Sequence, residues 1–140
     1  MFFLPQTAEY ALRATLHIAA RHPESVRVTE LSAAVKAPAN YLAKTLNHLA
    51  RAGVLVSTRG PSGGFRLKKD PSRVNLAEVV KVFIGGAPKR CLLGHGPCGE
   101  NPECTAHERW KPLSGQIDEF FRRTTLADIA LAGSTTVCAP

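Results

Sequence analysis

Between Thr29 and Leu67 the apolar residues run through two helical repeats and then switch to alternation, and no other feature of the chain constrains its fold as tightly. Leu31, Ala34 and Val35 stand at helical spacing behind Thr29, an expected N-cap, before Lys36-Ala37-Pro38 stops the run. Leu42, Leu46 and Leu49 then follow at i, i+4 and i+7 over Ala39 to Ala52, and Gly53 ends the segment as C′. Val54 to Thr58 and Phe65 to Lys68 read as strands on either side of the turn Arg59-Gly60-Pro61-Ser62-Gly63-Gly64, with Phe65 and Leu67 turned inward. A short helix, a tight break, a second helix and a hairpin predict a winged helix-turn-helix, mainly α with a small β-wing.

The leucine face of the second helix dictates what lies opposite. Asn40, Lys44, Asn47 and Arg51 form an outer stripe of side chains able to donate to phosphates and base edges, with Tyr41 and His48 on its flanks. Arg59 and Arg66 flank the wing turn that holds Ser62, and an arginine at such a tip can enter a minor groove. The net charge of +7 is regional: residues 1–90 carry +9 and residues 91–140 carry −2. Between Lys36 and Arg73 there are eight basic residues against the single acid Asp70. A solvated positive face is the plain alternative, but this charge on a helix-turn-helix points to double-stranded DNA.

Thr7 to Ala20, with Leu12, Leu16 and Ala19 on one face, and Leu76 to Ile84, capped by Asn75 and carrying Leu76, Val79, Val80 and Phe83, complete a domain over residues 1–84. With 44% hydrophobic and 21% charged residues in 140, one folded core is expected per chain. No apolar run approaches the roughly 18 residues that span a bilayer, and Met1 to Pro5 is too short for a signal peptide, so a cytoplasmic protein without membrane contact is expected. Paired carboxylates, a nucleophile with its base and a phosphate-binding loop are not found in the sequence, and Gly60 to Gly64 lacks the Lys-Ser/Thr ending of a nucleotide site, so no enzyme is expected.

Gly85 to Cys104 has five glycines, three prolines and no hydrophobic period, and a loop of that length in a small domain needs a reason. Cys91, Cys98 and Cys104 supply one: six residues separate the first pair, five the second, and His107 follows after two more. Thiolates bind soft and borderline cations, and both zinc on Cys91, Cys98, Cys104 and His107 and an iron–sulfur cluster suit this donor set. Cys138, three residues from the end, has no assigned role. The cysteine-rich segment is taken as residues 85–109. Beyond it Trp110, Leu113, Ile117, Phe120 and Phe121 repeat at helical spacing on a helix that starts near Ala106 or Pro112 and runs to Arg123. This aromatic stripe is expected to pack against a second copy of itself, making residues 110–132 a long C-terminal dimerisation helix. Thr125 and Asp128 suggest a capped final turn, and residues 133–140 a disordered tail.

Glu9-Tyr10-Ala11-Leu12-Arg13, Tyr41-Leu42 with Leu46, Leu49, Ala52 and Gly53, the wing Arg59 to Leu67, and the cysteine loop ending in Cys104-Thr105-Ala106-His107-Glu108-Arg109-Trp110 closely resemble the Rrf2 family of winged-helix transcriptional regulators, which includes IscR- and NsrR-type proteins. The resemblance covers about residues 5 to 130, and its most specific parts are the wing turn and the cysteine loop in their relative positions. It implies a homodimeric regulator or repressor that binds a palindromic operator and holds a 2Fe-2S or 4Fe-4S cluster on Cys91, Cys98 and Cys104, sensing nitric oxide, redox or iron–sulfur status. For the fourth ligand, His107 resembles the IscR arrangement, while Glu9 resembles the NsrR arrangement, in which an acidic residue comes from the other subunit. The interval between the first two cysteines is one residue longer than in the IscR pattern, so cluster type and fourth ligand both stay open.

Overall fold

The computed structural model describes residues 4–85, 91–94, 96–100 and 104–130. Its elements run α1 (Gln6–Ala20), α2 (Val28–Val35), α3 (Ala39–Arg51), β1 (Leu55–Thr58), β2 (Gly64–Leu67), a 3-10 turn (Pro71–Arg73), α4 (Leu76–Ile84), α5 (His107–Arg123) and α6 (Leu126–Ala130). No helix among the described residues is long and apolar enough to cross a membrane.

Helix α1 is the hub. It buries Ala8, Ala11, Ala14, Thr15, Leu16, Ile18 and Ala19, a wider face than the leucine spacing predicts, and Leu12 is only partly buried. Small alanines let other helices approach its backbone closely, and α2, α3, α4 and α6 all pack on it. The leucines of α3 behave as expected, with Leu42, Leu46 and Leu49 fully buried beneath it. Gly53, with φ of +81°, takes the left-handed position just after the α3 C-cap.

Two expectations about α2 are corrected. The helix begins at Val28, behind Arg27, so Thr29 lies in its first turn and caps nothing, and Ala34 is exposed while Leu31 and Val35 carry the buried face. The cause is tertiary. Val26 is held extended by two backbone hydrogen bonds of 2.9 Å with Phe65, which fixes where the helix can start.

The hairpin pairs Leu55 with Leu67, Val56 with Arg66, Ser57 with Phe65 and Thr58 with Gly64. Val26 lies along the other edge of β2, so this small sheet has a third, one-residue member. Gly64 is obligatory in that packing: its φ is +151°, and a Cβ there would lie 2.3 Å from the Val26 carbonyl oxygen. Helix α4 opens with a capping box in which Asn75 Oδ1 accepts from the Glu78 amide at 2.9 Å.

Over its described residues the segment expected as one dimerisation helix, 110–132, is divided between two helices, and residues 131 and 132 lie outside them. Helix α5 contains Pro112 and ends at Arg123, and α6 opens on a second reciprocal cap, the Thr125 amide donating to Asp128 at 2.8 Å and the Asp128 amide to Thr125 Oγ1 at 3.2 Å. Leu126 is fully buried, its amide donates to the Val74 carbonyl at 2.8 Å, and the Leu76 amide donates to Thr124 at 3.0 Å. The chain therefore returns to the core of the N-terminal domain after α5. The expected tail at 133–140, and Cys138 with it, lies outside the described residues.

Candidate nucleic-acid interface and cysteine loop

On α3 the buried leucines push Asn40, Lys44, Asn47 and Arg51 to the opposite, exposed side, as the periodicity predicts. The wing adds Arg59 and Ser62, both exposed, while Arg66 is half-buried on β2. Part of the positive charge is held in ion pairs. Arg21 is held by Glu30 at 2.7 Å and Glu24 at 3.4 Å, Lys69 by Glu78 at 3.4 Å, and Arg122 by Asp118 at 3.2 Å, with a further α5 pair between Arg123 and Glu119. Lys44, Arg51, Arg59 and Arg66 meet no carboxylate among the described residues. Helix and wing thus present uncompensated positive charge together with two asparagines, the chemistry that phosphate and base edges select.

Tyr41 differs from its neighbours. Its hydroxyl shares a hydrogen bond with Thr7 Oγ1 and its ring meets Tyr10 edge-on at 6.0 Å, so its polar tip is engaged by α1. His48 lies against Phe83 of α4 at 6.3 Å between ring centres. Both flanking aromatics anchor the outer helix to the body of the domain, and this leaves Asn40 and Asn47 as the neutral polar groups of the stripe.

Arg27 is a residue that the sequence reading passed over. Its Nη2 donates to the Pro61 carbonyl at the wing turn, from a backbone already bonded to β2 through Val26. The signal available in the sequence was the alternation Val26-Arg27-Val28 just before α2.

The cysteine loop brings its four donors into two pairs. Cys91 Sγ and Cys104 Sγ are 3.3 Å apart, and Cys98 Sγ lies 3.4 Å from His107 Nδ1. Cys91 is buried, and backbone bonds from its amide to the Gly96 carbonyl at 2.9 Å and from the Gly94 amide to its own carbonyl at 3.1 Å wrap the chain around it. The hydrogen bond shared with the Cys91 thiol raises the Cys104 pKa, and loss of solvent around the sulfur adds to it. No disulfide joins these three cysteines.

Among the described residues no three His, Cys, Asp or Glu side chains converge on one point as a metal ion would require. The donor types do fit: three thiols and an imidazole from one loop are the ligands that iron–sulfur clusters and zinc take, and a cluster several ångströms across needs no single point of convergence. Glu9, in the first turn of α1, is half-buried and belongs to no such group.

On α5 the expected stripe divides. Leu113 and Phe120 are 49% and 54% exposed, Trp110 and Ile117 are half-buried, and Phe121 packs on the chain's own core with its ring edge-on to Phe120 at 5.7 Å. No residue of this 17-residue helix is fully buried.

Comparison with known proteins is consistent across sequence and structure. The family model Rrf2, described as iron-dependent transcriptional regulator, matches residues 4–132. A protein of Aquifex aeolicus (strain VF5) named as an HTH-type transcriptional regulator is 38% identical over 128 residues, which is 88% of both chains. The HTH-type transcriptional regulator IscR of Vibrio vulnificus is 28% identical over 127 residues, 90% of this chain and 76% of that one. Among solved structures, CymR (YrzC), the global cysteine regulator of B. subtilis, superposes with a TM-score of 0.81 at 23% identity, covering 96% of this chain and all of the other. T. potens IscR superposes with 0.74 at 18% identity, covering 99% and 93%. The winged helix-turn-helix, the exposed basic helix and the match along almost the whole chain place this protein in the Rrf2 family of transcriptional regulators, not among enzymes.

Proposed function

We propose that the protein is a cytoplasmic, homodimeric repressor that reads a palindromic operator and whose affinity is set by an iron–sulfur cluster responding to nitric oxide, oxidants or iron–sulfur status. The observation that carries the DNA part is the unpaired cationic face formed by α3 and the wing. Lys44 and Arg51 neutralise phosphates, Asn40 and Asn47 read base edges with Tyr41 bracing the helix, and Arg59, helped by Ser62 and Arg66, enters the minor groove. Two such helices must reach successive major grooves about 34 Å apart, which a dimer built on Trp110, Leu113, Ile117 and Phe120 provides.

The sensing part is supported by the two donor pairs, Cys91 with Cys104 and Cys98 with His107, in the loop between α4 and α5 and at the start of α5. Cys91, Cys98 and Cys104 hold the cluster, with His107 or the carboxylate of Glu9 from the other subunit as fourth ligand. When bound, the cluster supplies a redox couple and a site of attack for nitric oxide. The loop joins the DNA-reading domain to the exposed helix α5, so ordering Cys91 to His107 limits the angles available between them. A histidine or carboxylate is more easily displaced than a thiolate, which suits a sensor.

Iron, sulfide and zinc content of anaerobically isolated protein, followed by operator binding before and after nitric oxide, tests both parts. Iron and sulfide with affinity that falls on exposure support the proposal. Zinc without sulfide, and affinity indifferent to nitric oxide, would replace it with the second reading, a zinc-stabilised winged-helix regulator that the same ligands allow.

A further inference from the structure

We infer that Arg27 is a positioning residue for DNA recognition, acting by clamping the wing and not by touching DNA itself. This rests on the proposed minor-groove role of Arg59. The wing turn between β1 and β2 is a Gly-Pro-Ser-Gly sequence closed by one backbone hydrogen bond, the Gly63 amide donating to the Gly60 carbonyl at 2.9 Å. A glycine-rich turn left to itself samples many conformations, and an arginine at its base would lose that entropy on entering a groove.

Three contacts outside the hairpin remove the freedom in advance. Val26, almost wholly buried, exchanges two backbone hydrogen bonds of 2.9 Å with Phe65. Gly64 lies so close to the Val26 carbonyl that no side chain fits between them. Arg27, the next residue, reaches along the sheet and donates Nη2 to the Pro61 carbonyl, two residues past Arg59. The first two fix the root of the wing and the third fixes its tip. Arg27 pairs with no carboxylate among the described residues, so no ion pair competes with this carbonyl for its guanidinium. The cost of ordering the tip is met during folding, and binding is strengthened by what it no longer has to order.

The test is a double-mutant cycle of Arg27→Met and Arg59→Ala, read as affinity for a duplex selected from a randomised pool by the wild-type protein. Arg59→Ala is expected to weaken binding about 5- to 100-fold. Arg27→Met should lose a comparable factor in the wild-type background, little more in the Arg59→Ala background, and leave the salt dependence unchanged between those last two proteins. Without DNA, the Gly63 amide should exchange faster with deuterium in Arg27→Met while the melting temperature stays within a few degrees, and Arg27→Lys, which keeps a donor of similar reach, should restore much of the affinity. Equal losses in both backgrounds with a shallower salt slope would overturn the inference, since Arg27 would then be a phosphate contact. An effect of Arg59→Ala with none from Arg27→Met would overturn it as well. No effect from Arg59→Ala would remove the wing from recognition altogether, and so fail at the earlier step.

Discussion

Replacing Lys44 by Gln should change how steeply operator affinity falls with salt more than it changes anything else. Lys44, Arg51 and Arg59 are exposed, lie on the outer face of α3 or on the wing, and have no carboxylate partner among the described residues. A dimer that brings Lys44 and Arg51 to phosphates and Arg59 into the minor groove between them neutralises about six phosphate charges, and each contributes about 0.9 to the slope of log affinity against log salt, giving about −5.4. Between 50 and 200 mM salt that is a loss of about 2,000-fold. Removing Lys44 from both subunits leaves about four contacts, a slope of about −3.6 and a loss of about 150-fold over the same range. Fluorescence anisotropy on one selected duplex at five or six salt concentrations measures both slopes. The substitution touches no buried group, so circular dichroism and melting temperature should not move. A slope unchanged by Lys44→Gln, with affinity unchanged too, would show that the outer face of α3 does not lie against the duplex, and the recognition model would fall.

Leu126→Ala should destabilise the folded chain by about 2 to 5 kcal/mol, because a fully buried leucine leaves a cavity beneath α6; urea denaturation checks this, and a change under about 1 kcal/mol would mean that α6 does not dock on the core. Glu30, whose pKa is lowered first by its hydrogen bond from His17 and further by Arg21, links α1 to α2. A carboxylate held below its ordinary 4.5 stabilises the fold above that pH and loses its contribution as pH falls through the lowered value, so Glu30→Gln should be slightly less stable at pH 6, with the difference shrinking toward zero as the pH is taken below that lowered value. The pair is exposed, so the difference in denaturation midpoint should correspond to no more than about 1 kcal/mol. Metal-free protein treated with a mild disulfide oxidant should link Cys91 to Cys104 before either joins Cys98, since their sulfurs already lie 3.3 Å apart; peptide mapping that finds Cys98 in the first bridge would refute that geometry.

Periodicity carried most of the architecture. Leucines at i, i+4 and i+7 told which side of α3 is dry and therefore which polar residues face outward, and both helix boundaries of α4 followed from Asn75 and the apolar run behind it. The cap at Thr125 and Asp128 was equally legible, because a capping box is a contact between residues three apart. These features depend only on neighbours along the chain. The misplaced start of α2 had no local cause: Thr29 is a good cap in isolation, but the strand-like pairing of Val26 with Phe65, 39 positions away, decides where the helix begins.

Within the candidate sites the same division holds. Sequence alone determined which residues are basic, which are thiols, and on which face of their helices they stand, since these follow from composition and a period of 3.6. What only the tertiary structure decided was who meets whom. It joined Cys91 to Cys104 and Cys98 to His107, tied Tyr41 to α1 and Arg27 to the wing, and turned Phe121 inward while leaving Leu113 and Phe120 exposed. An apolar or cationic stripe encodes a demand for a partner but not the partner's address. That address is set by packing between elements far apart in sequence, which closes only when the whole core forms.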